Sequence, residues 1–225
     1  AYDSPDKVYK KKQQSGEIKS ITTKLDAAIQ SAEESLIIVT PYFVPQKGGI
    51  EYLKKLRERG IEVTVITNSL RATNHDVVHS GYVPARKPLL EAGVRILEVK
   101  ASGNIDDIDR GGFAESLATL HTKAFLVDCK NFFIGSFNWD PRSVNINTEL
   151  GVIIESEEIT IPTCKRVEQQ APIKAYELKL NEKGKVTWVD NEGPEPVILT
   201  KEPETTFWQR FKVGFYRLLP IKSQL

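Results

Sequence analysis

The stretch Ile61-Glu-Val-Thr-Val-Ile-Thr67 is rich in β-branched residues, alternates in polarity, and reads as a strand. On its N-terminal side, Ile50 to Arg59 has helical spacing and is closed by Gly60, a residue suited to a left-handed helix end. Before that helix, the apolar run Leu36-Ile-Ile-Val39 reads as a buried strand ended by Thr40-Pro-Tyr-Phe-Val-Pro45. An amphipathic helix over 16–34 precedes it, with Ile18, Ile21, Leu25, Ala28, Ile29 and Ala32 on one stripe. On the C-terminal side a longer helix lies within 75–92, closed by Gly93, and Val94-Arg-Ile-Leu-Glu-Val99 forms the next strand. This β-α-β-α-β rhythm predicts an α/β fold with parallel strands and helices on the faces of the sheet.

Beyond it, residues 101–118 are rich in Gly and Asp and read as a loop. Three strands are expected in quick succession at 119–127, 132–138 and 148–155, then a helix around 157–171 weakened by Pro162. A hairpin is expected within 174–200: Tyr176-Glu-Leu-Lys-Leu180 alternates, Asn181 to Gly184 turns, and Val186-Thr-Trp-Val189 answers.

The chain of 225 residues allows one large domain or two small ones. A formal net charge of +1 gives no whole-chain argument for nucleic acid, so no nucleic-acid partner is expected. Lys10, Lys11 and Lys12 read as a solvated loop. Cys129 and Cys164 have no metal-ligand spacing and read as free thiols, a bridge being left open. No stretch is long and apolar enough to cross a bilayer. The chain contains no methionine, even at position 1, and is expected to begin inside a longer protein.

The chemistry concentrates in Leu120-His-Thr-Lys-Ala-Phe-Leu-Val-Asp128 and Asn131-Phe-Phe-Ile-Gly-Ser-Phe-Asn138, with the spacing H-x-K-x4-D-x6-G-S-x-N. Side chains two apart on a strand share a face, so His121 and Lys123 are expected to project together. An imidazole beside a fixed ammonium is disfavoured as a cation, and the pair suits a phosphate that the lysine attracts and the histidine attacks. Ser136 and Asn138 are expected to share a face and offer hydrogen bonds to the same phosphate oxygens.

This spacing resembles the signature of the phospholipase D superfamily, and residues 1–156 resemble the C-terminal half of bacterial cardiolipin synthases. The supporting segments include Tyr2-Asp-Ser-Pro-Asp-Lys7, Thr40-Pro-Tyr-Phe-Val-Pro45, Thr67-Asn-Ser-Leu70, Val78-His-Ser-Gly-Tyr82 and Asp140-Pro-Arg-Ser-Val-Asn-Ile-Asn-Thr-Glu-Leu150. The resemblance implies an α/β, phospholipase D-like fold, a mixed sheet sandwiched between helices, forming one half of a pseudo-twofold enzyme. It divides the chain into a catalytic domain at 1–156, carrying the second motif, and an extension of the same domain at 157–225. The implied activity is phosphatidyl transfer through a phosphohistidine, with no cofactor and no metal, on a phospholipid such as phosphatidylglycerol. The implied partners are an N-terminal half with the first motif and the membrane surface, and the implied location is peripheral on the bacterial inner membrane. His121 is then nucleophile or general acid, Lys123 and Asn138 hold phosphate oxygens, Gly135 and Ser136 support that cradle, and Asp128 is structural, bonded to a neighbouring strand. Glu149 either orients the second nitrogen of His121 or is an exposed strand residue. Arg142 contacts a lipid phosphate or pairs with an acid, and His79 contacts substrate or packs its helix, while His75 lies at the surface.

Two other readings compete: a homodimeric phosphodiesterase in which each chain supplies its single motif, and a binding scaffold, against which the intact His121, Lys123 and Asn138 set argues. In the tail, Phe207, Trp208, Phe211, Phe215, Leu218 and Leu219 form an apolar stripe with Arg210 and Arg217 opposite. Such a stripe suits core packing, the preferred expectation, or an interfacial helix.

Overall fold

The computed structural model describes residues 1–3, 20–101 and 120–219. The expectations for Lys10 to Lys12, for most of the 101–118 loop and for the first residues of the opening helix lie outside the described residues.

The expected rhythm is present. Helix α1 (Ile21–Gln30), strand β1 (Ser35–Val39), helix α2 (Gln46–Glu58), strand β2 (Glu62–Asn68), helix α3 (Asp76–Glu91) and strand β3 (Arg95–Val99) follow one another. Ser20 caps α1, its hydroxyl accepting from the Thr22 amide. Gly60 and Gly93 follow α2 and α3 with φ of 88° and 79°, backbone that an L side chain resists. Strand β1 runs parallel to β2, and β2 parallel to β3.

Strands β4 (Ala124–Val127), β5 (Asn131–Gly135) and β6 (Gly151–Ile154) add an antiparallel meander beside β1, with the short helix α4 (Pro141–Asn145) between the last two. After α5 (Glu157–Lys174), strand β7 (Ala175–Leu180) pairs antiparallel with β3 on the other flank, followed by β8 (Val186–Asp190) and β9 (Val197–Leu199). The result is one nine-stranded mixed sheet in the order β6-β5-β4-β1-β2-β3-β7-β8-β9, continuous across residue 156. Helix α6 (Phe207–Tyr216) closes the described chain with a capping box between Thr206 and Gln209.

Strand parity divides the interior into two cores. Leu36 and Ile38 of β1, Val63 and Val65 of β2, and Ile96 of β3 face α1, α2 and α3. Ile37, Val39, Ile66 and Leu97 face the other side, where Cys164, Val167 and Ala171 of α5 cover them. The run Leu36-Ile-Ile-Val39 is apolar throughout because a central parallel strand is buried on both faces.

Several expectations are corrected. The strands expected at 119–127, 132–138 and 148–155 are shorter, so His121, Lys123, Ser136, Asn138 and Glu149 stand on the segments just outside them. Helix α5 runs through Pro162 to Lys174. Cys129 and Cys164 form a disulfide with Cα atoms 5.6 Å apart, which corrects the free-thiol reading. The β4–β5 turn, with φ of 52° at Asp128 and 51° at Cys129, presents Cys129 to α5. The preferred packing of the tail is also overturned. Val213 is the buried residue of α6, which lies on α3, while Phe207, Trp208, Phe211 and Phe215 are exposed.

Gly135 and Gly151 are paired in register across β5 and β6. A methyl at Gly135 would meet the Gly151 Cα at 2.7 Å, and one at Gly151 would drive into the Phe133 ring. Gly151→Val is therefore expected to lower stability by about 1–3 kcal/mol through overpacking. Urea denaturation with an unchanged midpoint would show that the two strands have room that the structure denies them.

Candidate active site

The extended segment that leads into β4 places His121 at the surface and Lys123 in a half-closed position, 8% exposed. The two lie at an end of the central strands rather than at a lateral edge of the sheet, since β4 is flanked by β5 and β1. With Thr122, Gly135, Ser136 and Leu150 they line a recess of about 540 Å³. The Lys123 Nζ donates to the His121 carbonyl at 2.7 Å, which ties the lysine side chain to the backbone that carries the imidazole.

The electrostatics follow from this placement. The Lys123 ammonium, and then partial burial, lower the His121 pKa below its ordinary value, which favours the neutral imidazole. Burial lowers the Lys123 pKa, and the nearby Glu149 and Asp140 carboxylates oppose that effect. The Lys123 Nζ also stands 6.0 Å above the Tyr42 ring. The imidazole makes no hydrogen bond to any described residue.

Glu149 is buried and does not bond to His121, contrary to its expected orienting role, nor is it an exposed strand residue. Its Oε2 accepts from the Ser136 hydroxyl and its Oε1 accepts from the Ser143 hydroxyl at 2.7 Å. The Glu149 amide donates to Asp3 Oδ2 at 3.0 Å, and Asp3 Oδ1 accepts from the Ile21 amide at 2.8 Å, tying the first residues and α1 to the site. Asp140 caps α4 by accepting from the Ser143 amide at 2.7 Å, and burial raises its pKa.

The expected residues separate into three groups. His121, Lys123 and Ser136 meet in the recess. Asn138 lies just behind it, 8% exposed, with its amide donating to Ser143 Oγ and its buried Oδ1 without a hydrogen-bond partner. Gly135 lines the recess and allows the close approach of β6. Asp128 is remote: seven residues of extended chain put it roughly 20 Å from His121. As expected of a structural residue, its carboxylate accepts from the amides of Glu33, Glu34 and Ser35 at 2.8–2.9 Å, pinning the β4–β5 turn to the start of β1. Arg142 is exposed on α4, and no ion pair joins it to a described acid.

Of the two readings for His79, packing is the one its burial fits. Its Nε2 lies 2.9 Å from Arg86 Nη2, in a network where Arg86 also bonds Glu98 at 2.8 Å and pairs with Glu202. Burial raises the Glu202 pKa, but Arg86 and His79 outweigh it and hold the group at about 2. His75 is exposed as expected, yet its ring meets Tyr42 at 5.5 Å, which puts it on the rim of the site. Asp3, Tyr42, Asp140 and Ser143 are site residues that the sequence reading does not single out, although all four stand in segments that carry the family resemblance.

Residues 25–171 match the family model described as cardiolipin synthase, phospholipase D-like domain. The chain belongs to that family. It is 41% identical over 194 residues to cardiolipin synthase C of Escherichia coli K12, covering 85% of this chain and 41% of that protein. It is 34% identical over 130 residues to cardiolipin synthase A of Serratia proteamaculans, covering 58% of this chain and 23% of that protein. This chain thus spans less than half the length of these relatives. Among solved structures, the phospholipase D family member Nuc of Salmonella typhimurium superposes with a TM-score of 0.54 at 16% identity, over 70% of this chain and 90% of that one. Phosphatidylserine synthase of Haemophilus influenzae superposes with a TM-score of 0.53 at 16% identity, over 91% and 45%. Both show the same fold.

Two outcomes test the site. Lys123→Ala removes the charge that disfavours imidazolium, so the His121 titration midpoint, followed by NMR, should move up; an unmoved midpoint means that Lys123 does not govern His121. Asp128→Ala should lower the unfolding midpoint while leaving that titration alone. The pKa of Asp128 is lowered because three amide hydrogen bonds and Lys130 overcome its partial burial. A depressed carboxylate stabilises the fold above its unfolded pKa, and that contribution fades as pH falls through the folded value. The stability gap between wild type and Asp128→Ala should therefore narrow in acid, and a gap constant with pH would contradict this account.

Proposed function

We propose that the chain is one catalytic half of a phosphatidyltransferase of phospholipid synthesis, moving a phosphatidyl group to an acceptor hydroxyl through a phosphohistidine. The observation that carries this reading is the recess itself, where an imidazole without a hydrogen bond to any described residue stands beside a lysine ammonium that favours its neutral form, in a chain of the cardiolipin synthase family.

In the first step one histidine nitrogen bonds to phosphorus as the bond to the leaving alkoxide breaks, and a second acid protonates that alkoxide. In the second step an acceptor alcohol gives its proton to that same group, now a base, and takes the phosphatidyl group from histidine. His121 fills one of these roles. Lys123 offsets charge on the non-bridging oxygens, Asn138 hydrogen-bonds them, and Ser136, held by Glu149, supports the cradle. Arg142, exposed on α4 and without an ion pair to any described acid, meets a lipid phosphate in this reading. No cofactor and no metal take part in this scheme.

This chain supplies one such histidine at its motif, and in-line displacement needs a group on each side of phosphorus. The partner in this reading is a second half carrying the first motif. Leu150 and Val152 beside the recess are 67% and 57% exposed, an apolar rim that such a half would cover. The setting is the surface of the bacterial inner membrane, with the phospholipid as substrate; no described helix is long and apolar enough to cross a membrane.

His121→Ala in the full-length parent should abolish formation of the lipid product from labelled phosphatidylglycerol, a loss of many powers of ten, while circular dichroism stays unchanged. Product at the wild-type yield would refute the assignment. The isolated chain should be inactive in the same assay. Turnover by the chain alone, lost in His121→Ala, would favour a homodimeric phosphodiesterase instead.

A further inference from the structure

Helix α6 carries an apolar ridge that no described part of the fold covers. Phe207, Trp208, Phe211 and Phe215 are 64%, 71%, 57% and 51% exposed, and Leu218 just past the helix is 82% exposed. The rings of Phe207, Trp208 and Phe211 touch one another, with centroids 5.6–6.2 Å apart. At about 100° per residue these side chains fall on one stripe. Val213, on the opposite side, is the buried residue. Lys212 lies on one flank of the stripe, and Arg210 and Arg217 lie on the other, which revises the expectation that the arginines stand opposite. A contiguous exposed aromatic surface of this kind marks an interaction site.

Charge and position identify the occupant. From Thr205 to Leu225 the sequence holds four basic residues, Arg210, Lys212, Arg217 and Lys222, and no acidic one. Aromatic rings at headgroup depth with cations on both sides match the boundary of an anionic bilayer. The ridge is also tied to the rim of the catalytic recess. Lys123 Nζ stands 6.0 Å above the Tyr42 ring, and that ring meets His75 at 5.5 Å. His75 is the N-cap of α3, and the next residue, Asp76, pairs with Lys212 at 2.9 Å. Helix α6 lies outside residues 25–171, the part matched to the family.

We propose that α6 is an interfacial anchor whose aromatic ridge enters the headgroup region of an anionic bilayer, holding the His121 recess at the membrane surface. This rests on the phospholipid reading of the site, but the anchor is measured without catalysis.

The test is sedimentation of the full chain with vesicles of phosphatidylcholine, with and without phosphatidylglycerol. The wild type should bind the mixed vesicles at least about tenfold more tightly than the double variant Trp208→Ser, Phe211→Ser. Both changes fall on exposed side chains, so the thermal midpoint should not move. Arg217→Glu should weaken binding to mixed vesicles, and added salt should weaken wild-type binding. Equal binding by wild type and double variant would overturn the anchor, as would indifference to phosphatidylglycerol. So would a wild type that ignores vesicles; ridge-dependent self-association would then assign the ridge to a second copy. Vesicle binding without lipid transfer by the parent would sink the transferase reading and leave the anchor standing. Transfer without ridge-dependent binding would do the reverse.

Discussion

A buried carboxylate must have its oxygens satisfied, and at Glu149 that requirement organises the site. The group is 4% exposed. Two hydroxyls meet it, Ser136 from the end of β5 and Ser143 from α4, and each fixes an element that lies beside His121 and Lys123. The Glu149 backbone amide takes a second carboxylate, Asp3, which reaches on to the first turn of α1. A carboxylate in this position also bears on the protonation of its neighbour. Burial alone would push Lys123 towards its neutral form, and Glu149 and Asp140 hold it back. Loss of Glu149 would thus loosen the end of β5 and helix α4 and weaken the cation that disfavours a charged His121.

The sheet supplies the rigid frame for this arrangement. The functional side chains stand one to three residues outside β4, β5 and β6, where the backbone has left the ladder but is still held by it. The Gly135 amide donating to the Lys123 carbonyl at 3.1 Å is the last such tie. Gly135 and Gly151 let β5 and β6 close upon Phe133 at this end, and Asp128 fixes the opposite end of β4 to the loop before β1. The motif therefore combines residues of two kinds. Its histidine, lysine and serine face the recess, while its aspartate and glycine hold the strands that carry them.

Local pattern was enough to find the α/β rhythm because a central parallel strand such as Leu36-Ile-Ile-Val39 and glycine caps such as Gly60 and Gly93 leave short-range marks. It was not enough to end the strands correctly, because apolar residues such as Phe137 and Trp139 continue past the last ladder bond and pack as side chains. Placing His121 beside Lys123 needed only the two-residue period of extended chain. The roles of Glu149 and His79 depended on the groups the fold brings to them: the Ser136 and Ser143 hydroxyls and Asp3 for the first, Arg86 at 2.9 Å and Glu202 at 3.7 Å for the second, and Asp3 and Glu202 lie more than a hundred residues away in sequence. The disulfide was illegible for the same reason, its cysteines being 35 residues apart. The tail stripe was visible as a pattern, but periodicity describes a face and does not say what covers it.

An ammonium has three donors, and in this structure one of those on Lys123 is committed to the His121 carbonyl. The remaining two are what the recess offers to an anion, and the committed one keeps the lysine from swinging away when no ligand is bound. The same bond ties the cation to the backbone that presents the nucleophile candidate. Preorganisation of this kind matters most for a phosphodiester, whose charge is present before the reaction and is redistributed during it, leaving little for the protein to do except hold donors in place. A pair fixed so close together cannot also supply the acid on the far side of phosphorus. That geometric limit, more than any feature of the fold, is why the site reads as one side of a larger centre.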